Sequence, residues 1–258
     1  MERDSTALVT GGGRGIGQAI CVQLASQGMD VVIADVDEDG MAETATLVEE
    51  EGRRALALET DLKRLESVEE TIEAALSEFE TVECLVNNAG IAGPTAACED
   101  ISSEEWDETL AVNLRGAFYT CRQLLPSMKA QRYGRIVNIA SVTGKRPLTK
   151  RTPYATSKMG LIGLTRTLAA EVGEYNINVN AVCPGSVDGP RIRKVFEEKA
   201  NATGQTYEDV RTDAENQSPR RELVTREDIA GTVGFLCSPA ADRMTGQDVN
   251  VSAGKVMY

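Results

Sequence analysis

The chain has 258 residues, 41% hydrophobic and 26% charged, a composition ordinary for a globular protein and long enough to bury a core without staples. Its net charge of −13 argues against a nucleic-acid partner, because phosphate binding needs a basic surface. It contains no histidine, so Ser-His-Asp and Cys-His chemistry and histidine-rich zinc sites are excluded, and acid–base work falls to Tyr, Lys, Asp, Glu or Cys.

Apolar runs alternate with helical patterns along the whole chain. Thr6–Val9 reads as a short buried strand and leads into a glycine cluster over 11–17. Ile16, Ile20 and Leu24, four apart, predict a helix that ends at Gly28. Val31–Ala34 is the second strand, 38–51 an acidic helix closed by Gly52, and Ala55–Leu58 the third strand. Val68, Ile72, Leu76 and Phe79 form the apolar stripe of the next helix. Cys84–Val86 is the fourth strand and runs straight into Asn87, Asn88, Ala89 and Gly90.

A long helix is expected from Ser103, behind a capping box of Ser102 and Glu105, to Gln131, with Pro126 kinking it or limiting its regular part. Arg135–Ala140, a helix over 153–173 and the strand Ile177–Val182 follow. Residues 184–219 are polar, punctuated by Pro and Gly, and helix-patterned only in their middle, which suggests a mobile lid over the substrate. A helix over 227–237 and the strand Asp248–Val251 close the series.

Strictly alternating β and α segments with apolar, β-branched strands predict one α/β domain over 1–258. It is a Rossmann-type, doubly wound parallel sheet of seven strands with helices on both faces. The six cysteines show no metal or redox spacing and read as small buried hydrophobes. No 18-residue apolar run occurs and the first residues are charged (Glu2, Arg3, Asp4), so no membrane association and a cytoplasmic location are expected.

Three features carry chemistry. Gly11, Gly15 and Gly17 lie between the first strand and first helix, where glycines permit a tight turn and a helix N-terminus offers N–H groups to a pyrophosphate. Asp35 ends the second strand, placed to accept both ribose hydroxyls of NAD and to repel the extra phosphate of NADP; Asp37 adds negative charge, while Arg14 in the loop opposes it. Tyr154 and Lys158 stand four residues apart near a helix start, on one face, so the ammonium favours the phenolate of a tyrosine otherwise too weak a base. Ser141, at the end of the fifth strand, is positioned to hydrogen-bond a substrate oxygen.

Thr10, Gly11, Gly15, Ile16, Gly17, Asp61, Asn87 to Gly90, Asn113, Ser141, Tyr154, Lys158, Pro184 and Gly185 occur in this order at strand ends and helix starts. Over essentially its whole length the chain thereby resembles the short-chain dehydrogenase/reductase family in its compact form. The resemblance implies that Tyr154 is the general acid/base, that Lys158 lowers its pKa and binds the nicotinamide ribose, and that Ser141 orients the substrate oxygen. It implies that Asn113 holds a water in a proton relay ending at Lys158, and that Asp61, with the Leu62 backbone, meets the adenine. Asn88 would stabilise the central strand, Gly90 would let the cofactor pass, and Gly11, Arg14, Gly15, Ile16, Gly17, Ala89, Pro184, Gly185 and Val187 would line its path.

One departure stands out. The family usually places a Thr shortly after Pro-Gly, whereas Ser186-Val-Asp-Gly-Pro190 follows here, with Ser186 or backbone N–H groups as substitutes. Arg191, Arg193 and Lys194 then form a basic knot in an acidic protein, and Arg191 or Arg193 is read as a clamp on an anionic substrate group. The function expected is hydride transfer between NAD(H) and a secondary alcohol or ketone: a sugar, polyol or hydroxy acid. The alternative is reduction of 3-oxoacyl thioesters, against which Asp35 argues because biosynthetic reduction draws on NADPH. The resemblance also implies a homotetramer (or homodimer), paired through helices 103–131 and 154–173.

Overall fold

The computed structural model describes residues 5–258, the side chains of Arg191, Glu198 and Ala202 excepted. Within them lies a sheet of seven strands: β1 Ser5–Thr10, β2 Met29–Asp35, β3 Ala55–Glu59, β4 Cys84–Asn87, β5 Gly134–Ile139, β6 Ile177–Pro184 and β7 Asp248–Val251. Their spatial order is β3-β2-β1-β4-β5-β6-β7, and every neighbouring pair is parallel. The register at the centre sets Leu8 of β1 opposite Val32 of β2 and Leu85 of β4. Chain order reverses between β1 and β4, and the carboxyl ends of those strands flank the crevice where such sheets receive ligands.

Parallel strands need helical crossovers, and these cover both faces. On one face α1 (Gly15–Ser26), α2 (Glu38–Glu50) and α9 (Arg226–Cys237) bury Ile20, Leu24, Val48, Ile229 and Val233 against Ala7, Val9, Ile33 and Val137. On the other face α3 (Leu65–Phe79), α5 (Gly116–Gln131) and α6 (Thr152–Val172) bury Val68, Ile72, Leu124, Met128 and Val172 against Leu8, Val32, Leu85 and Ile136. The alternation of Ala7, Leu8 and Val9 between the two cores is the two-residue period of a strand buried on both sides. Five of the six cysteines are buried, and Cys98 is exposed. Among the described residues no helix is long and apolar enough to cross a membrane.

Two segments differ from the sequence reading. The long helix is α4 (Ser103–Leu110), a single π turn (Ala111–Arg115) and then α5. The expected capping box of Ser102 and Glu105 is present. Pro126 lies inside α5 without ending it; the interruption falls at the π turn, where no proline or glycine signals it. The 184–219 segment holds two helices, α7 (Pro190–Thr203) and α8 (Tyr207–Glu215), rather than a helical middle alone. Pro190 opens α7, Gly204 (φ +72) caps it, and Thr206 with Asp209 forms a capping box for α8. Phe196, Ala200 and Val210 make a small core of their own beneath these helices.

Candidate active site

The turn from β1 to α1 is shaped by contacts that leave no room for side chains. Gly11 has φ +65, and a Cβ there would lie 2.7 Å from the Ala89 Cα; a Cβ on Gly17 would lie 1.9 Å from the Gly11 carbonyl oxygen. The loop is fastened from β4: the Thr10 hydroxyl accepts the N–H groups of Asn88 and Ala89, both at 3.1 Å. The Asn88 amide donates to the carbonyls of Thr10 (3.0 Å) and Gly11 (2.9 Å). From α2 the Thr44 hydroxyl donates to Gly12 O at 3.0 Å. No side chain caps the first N–H groups of α1, and a Cβ on Gly15 would meet nothing within 4 Å, so the space before the helix is open.

Asp35 ends β2 with its carboxylate turned to this loop. One oxygen accepts the Gly13 N–H at 2.9 Å, the other the Val36 N–H at 2.7 Å. The exposed Arg14 side chain points to Asp37, 3.7 Å away. Asp61, just beyond β3, accepts the Lys63 N–H at 2.9 Å, and Leu62 is buried against Gly116.

Tyr154 and Lys158 occupy the start of α6. Lys158 is 4% exposed, donates to the Ile139 carbonyl at 2.8 Å, and holds its ammonium 5.8 Å from the centre of the Tyr154 ring. Ser141, at the end of β5, is nearly buried and accepts the Thr143 N–H at 3.1 Å. A Cβ on Gly90 would lie 3.2 Å from Asn113 Oδ1 and 3.4 Å from Lys158 Nζ, so the two polar groups converge on Gly90. Asn113 stands in the π turn, where helices commonly carry functional residues. Its side chain accepts the Ile91 N–H (2.7 Å) and donates to Ile91 O (3.0 Å) and Ser157 Oγ (3.1 Å).

Two neighbours went unread in the sequence. Ser157 donates to the Tyr154 carbonyl at 2.8 Å and so joins the π turn to α6; its position three after Tyr154 was the available signal. Arg151 donates to Ala92 O at 2.7 Å and lies 5.2 Å from the Tyr154 ring centre. Beneath the site a buried chain of amides and hydroxyls, Thr120 to Asn87, Asn87 to Asn138 and Asn138 to Thr165 (2.6, 2.9 and 2.8 Å), locks β4 and β5 to α5 and α6. Cys183, beside Ser141, has its pKa pushed up by burial to about 11, with Lys145 and Lys158 pulling the other way. It stays a thiol at neutral pH and is unsuited to the base or nucleophile role.

The Pro184-Gly185 stretch continues β6: Gly185 N–H donates to Val251 O at 2.8 Å and Val187 pairs with Val224. Ser186 Oγ accepts from Lys255 at 3.4 Å. Arg193 lies against Asp188 (3.4 Å), which also takes Arg211 from α8 at 3.1 Å. The side chain of Arg191 lies outside those described. The glycine loop, Asn88, Asn113, Ser141, Tyr154 and Lys158 thus gather at the carboxyl edge of the sheet, while Arg193 is engaged within the lid segment.

The profile of the short chain dehydrogenase family matches residues 5–200. D-beta-hydroxybutyrate dehydrogenase of Cupriavidus necator is 34% identical over 257 residues, covering 99% of each chain. The crystal structure of NAD+-bound xylitol dehydrogenase is similar with a TM-score of 0.92 at 30% identity, over 98% of this chain and 100% of that one. Actinorhodin polyketide ketoreductase with NADPH gives a TM-score of 0.94 at 32% identity, over 100% and 99%.

Proposed function

This chain belongs to the short-chain dehydrogenase family and is an oxidoreductase of alcohol and ketone groups; from that premise we propose that it transfers hydride between NAD and a secondary alcohol that is a sugar, polyol or hydroxy acid. The observation that carries the reading is the convergence of Tyr154, Lys158, Ser141 and Asn113 at the open end of the glycine loop. The loop fits a dinucleotide: its turn is tight, its helix N-terminus is uncapped, and the ground before Gly15 is open. Bound there, a nicotinamide supplies the hydride donor or acceptor.

The chain's own groups handle the proton. Ser141 holds the substrate oxygen, and Tyr154 takes the hydroxyl proton in oxidation or returns it in reduction. The buried Lys158 ammonium favours the phenolate, and its anchoring on Ile139 O holds that charge in place. Asn113, tied to Ile91 and Ser157, positions the far side of this relay.

Asp35 supports NAD. A carboxylate at the end of β2 repels a ribose phosphate, and Arg14, the cation that would attract one, is directed to Asp37. Sugar, polyol and hydroxy-acid substrates accord with the likeness to the xylitol and hydroxybutyrate dehydrogenases. The second reading, reduction of a 3-oxoacyl thioester, is favoured by the likeness to the polyketide ketoreductase and opposed by Asp35. We also assign the chain to a homotetramer.

The test is NAD reduction over a panel of sugars, polyols and hydroxy acids, with NADP as control. Tyr154→Phe is expected to lower kcat by at least ~100-fold while leaving NADH affinity unchanged. A Phe variant with intact turnover would overturn the catalytic reading, and a strong preference for NADP would overturn the role of Asp35.

A further inference from the structure

We propose that Arg151 is a positioning residue for Tyr154: its guanidinium is a second cation beside the phenol and favours the phenolate together with Lys158. The role deepens the alcohol/ketone reading above, in which Tyr154 carries the proton.

The charge is fixed in place. The Arg151 guanidinium carbon lies 5.2 Å from the centre of the Tyr154 ring, nearer than the Lys158 ammonium at 5.8 Å. It donates to Ala92 O at 2.7 Å and so does not sweep through solvent. Ala92 belongs to an irregular stretch, 91–96, that is gripped on both sides of it. Asn113 holds both backbone groups of Ile91, and Ala96 N–H donates to Lys150 O at 3.1 Å. The anchor of the cation and the start of α6 therefore move as one piece.

Local preferences run against this residue. Arg151 is the N-cap of α6, where a cation opposes the helix dipole and cannot accept the first N–H groups. α2, α4, α8 and α9 begin on Asp, Ser or Thr and carry acids in their first turns, whereas α6 has neither. Arginine also opens α1 and α3, but Arg14 and Arg64 are exposed, while Arg151 is half-buried against a ring. Lys150, just before it, takes a left-handed backbone (φ +62) that side chains disfavour. A cation set against the dipole, behind a strained turn, is explained by what it faces.

Other charged groups on the elements packed against α6 are engaged elsewhere. Lys145, past the 3₁₀ turn, is paired with Asp248 at 2.6 Å, and Arg115 of the π turn lies 6.0 Å from the Tyr119 ring centre. The α4 carboxylates are all exposed, Glu105 on the Ser102 N–H and Glu108 near Lys63. Cys183 of β6 stays a thiol at neutral pH, its pKa pushed up by burial to about 11. A unit charge about 5 Å away displaces a titration by roughly half a pH unit even at the dielectric of water, and by more where water is excluded.

The test titrates the phenol itself, in the whole chain without cofactor or substrate. Tyr154 is one of six tyrosines, and subtracting the tyrosinate absorbance of Tyr154→Phe isolates it. The same difference is taken in Arg151→Gln, in Arg151→Met, which keeps an apolar stem, and in Arg151→Lys, which keeps the charge. Melting curves check that each is folded. The two neutral variants should move the Tyr154 midpoint up by at least ~0.5 pH unit, and Arg151→Lys should restore at least half of the displacement. A midpoint unmoved in both neutral variants would overturn the proposal. So would an Arg151→Lys midpoint equal to that of Arg151→Gln, which makes Arg151 a tether and not a charge. Either failure leaves the alcohol/ketone reading intact, since that reading falls separately, if Tyr154→Phe keeps its turnover.

Discussion

Gly17 stands in the first turn of α1 with the Gly11 carbonyl oxygen where its Cβ would be, at 1.9 Å, and the Asn88 amide at 2.6 Å. Neither can retreat, since Asn88 is bonded to two loop carbonyls. Gly17→Ala is expected to cost ~1–3 kcal/mol of stability and to raise the Kd for NADH at least ~10-fold by opening the loop. Melting curves and a fluorescence titration check it, and unchanged NADH affinity would refute the shape argument. Gly11, Gly15, Gly17, Tyr154 and Lys158 were legible in the sequence because their spacing is local: one turn, or one helix face. Thr10, and the bond that ties Ser157 to the π turn, were not assigned roles because the partners there are remote. Asn113 meets Ser157 across 44 residues, and Asn88 meets Thr10 across 78. Such pairings are set by the packing of whole elements, and no single-chain periodicity encodes them.

At the scale of elements, Asp248 stitches three of them together. Its carboxylate takes Lys145, just past β5, at 2.6 Å and Arg166 of α6 at 2.7 Å, while its own backbone belongs to β7. Burial works to raise its pKa, but the hydrogen bonds and charges of Lys145 and Arg166 prevail and hold it below the ordinary 3.8. With the folded value depressed, the stability contributed is full above the unfolded value and is lost as pH falls through the folded one. Asp248→Asn is expected to lower Tm at pH 7 by about 3 °C, for roughly 1 kcal/mol. That gap should close below about pH 3.8; a gap constant from pH 7 to pH 3 would refute it. Strands and amphipathic helices were readable here because burial on one or two faces writes a period of two or of 3.6. The π turn was not, since one extra residue leaves the composition of a helix unchanged. Nor was α8, whose nine residues are mostly polar; it is held by its capping box and by Arg211 on Asp188.

For the whole molecule, the seven-strand order gathers the glycine loop, Asn88, Asn113, Ser141, Tyr154 and Lys158 at the carboxyl edge of the sheet and leaves the flanks of α4, α5 and α6 to other work. A depression of about 320 Å³ lies on the α4–α5 face, lined by Asp107, Leu110, Ala111, Leu114, Arg115 and Phe118. Phe118 is 45% exposed there, and Met159 on α6 is 60% exposed. Light scattering is expected to give the mass of four 27.7 kDa chains, and Phe118→Glu to give a smaller species. A wild-type mass of one chain would refute the assignment. Parallel topology followed from the alternation of strands and helices, whereas the proposed pairing of copies through helices 103–131 and 154–173 came from the family resemblance, and the folded chain adds that Phe118 and Met159 lie exposed on those helices. The π turn at 111–115 has one more consequence. A π turn needs an additional residue to complete the same revolution. The surplus is absorbed where it occurs, and the helices on either side keep the faces they would have had without it. A chain one residue shorter there would retain both helices as they stand and lose the turn that presents Asn113.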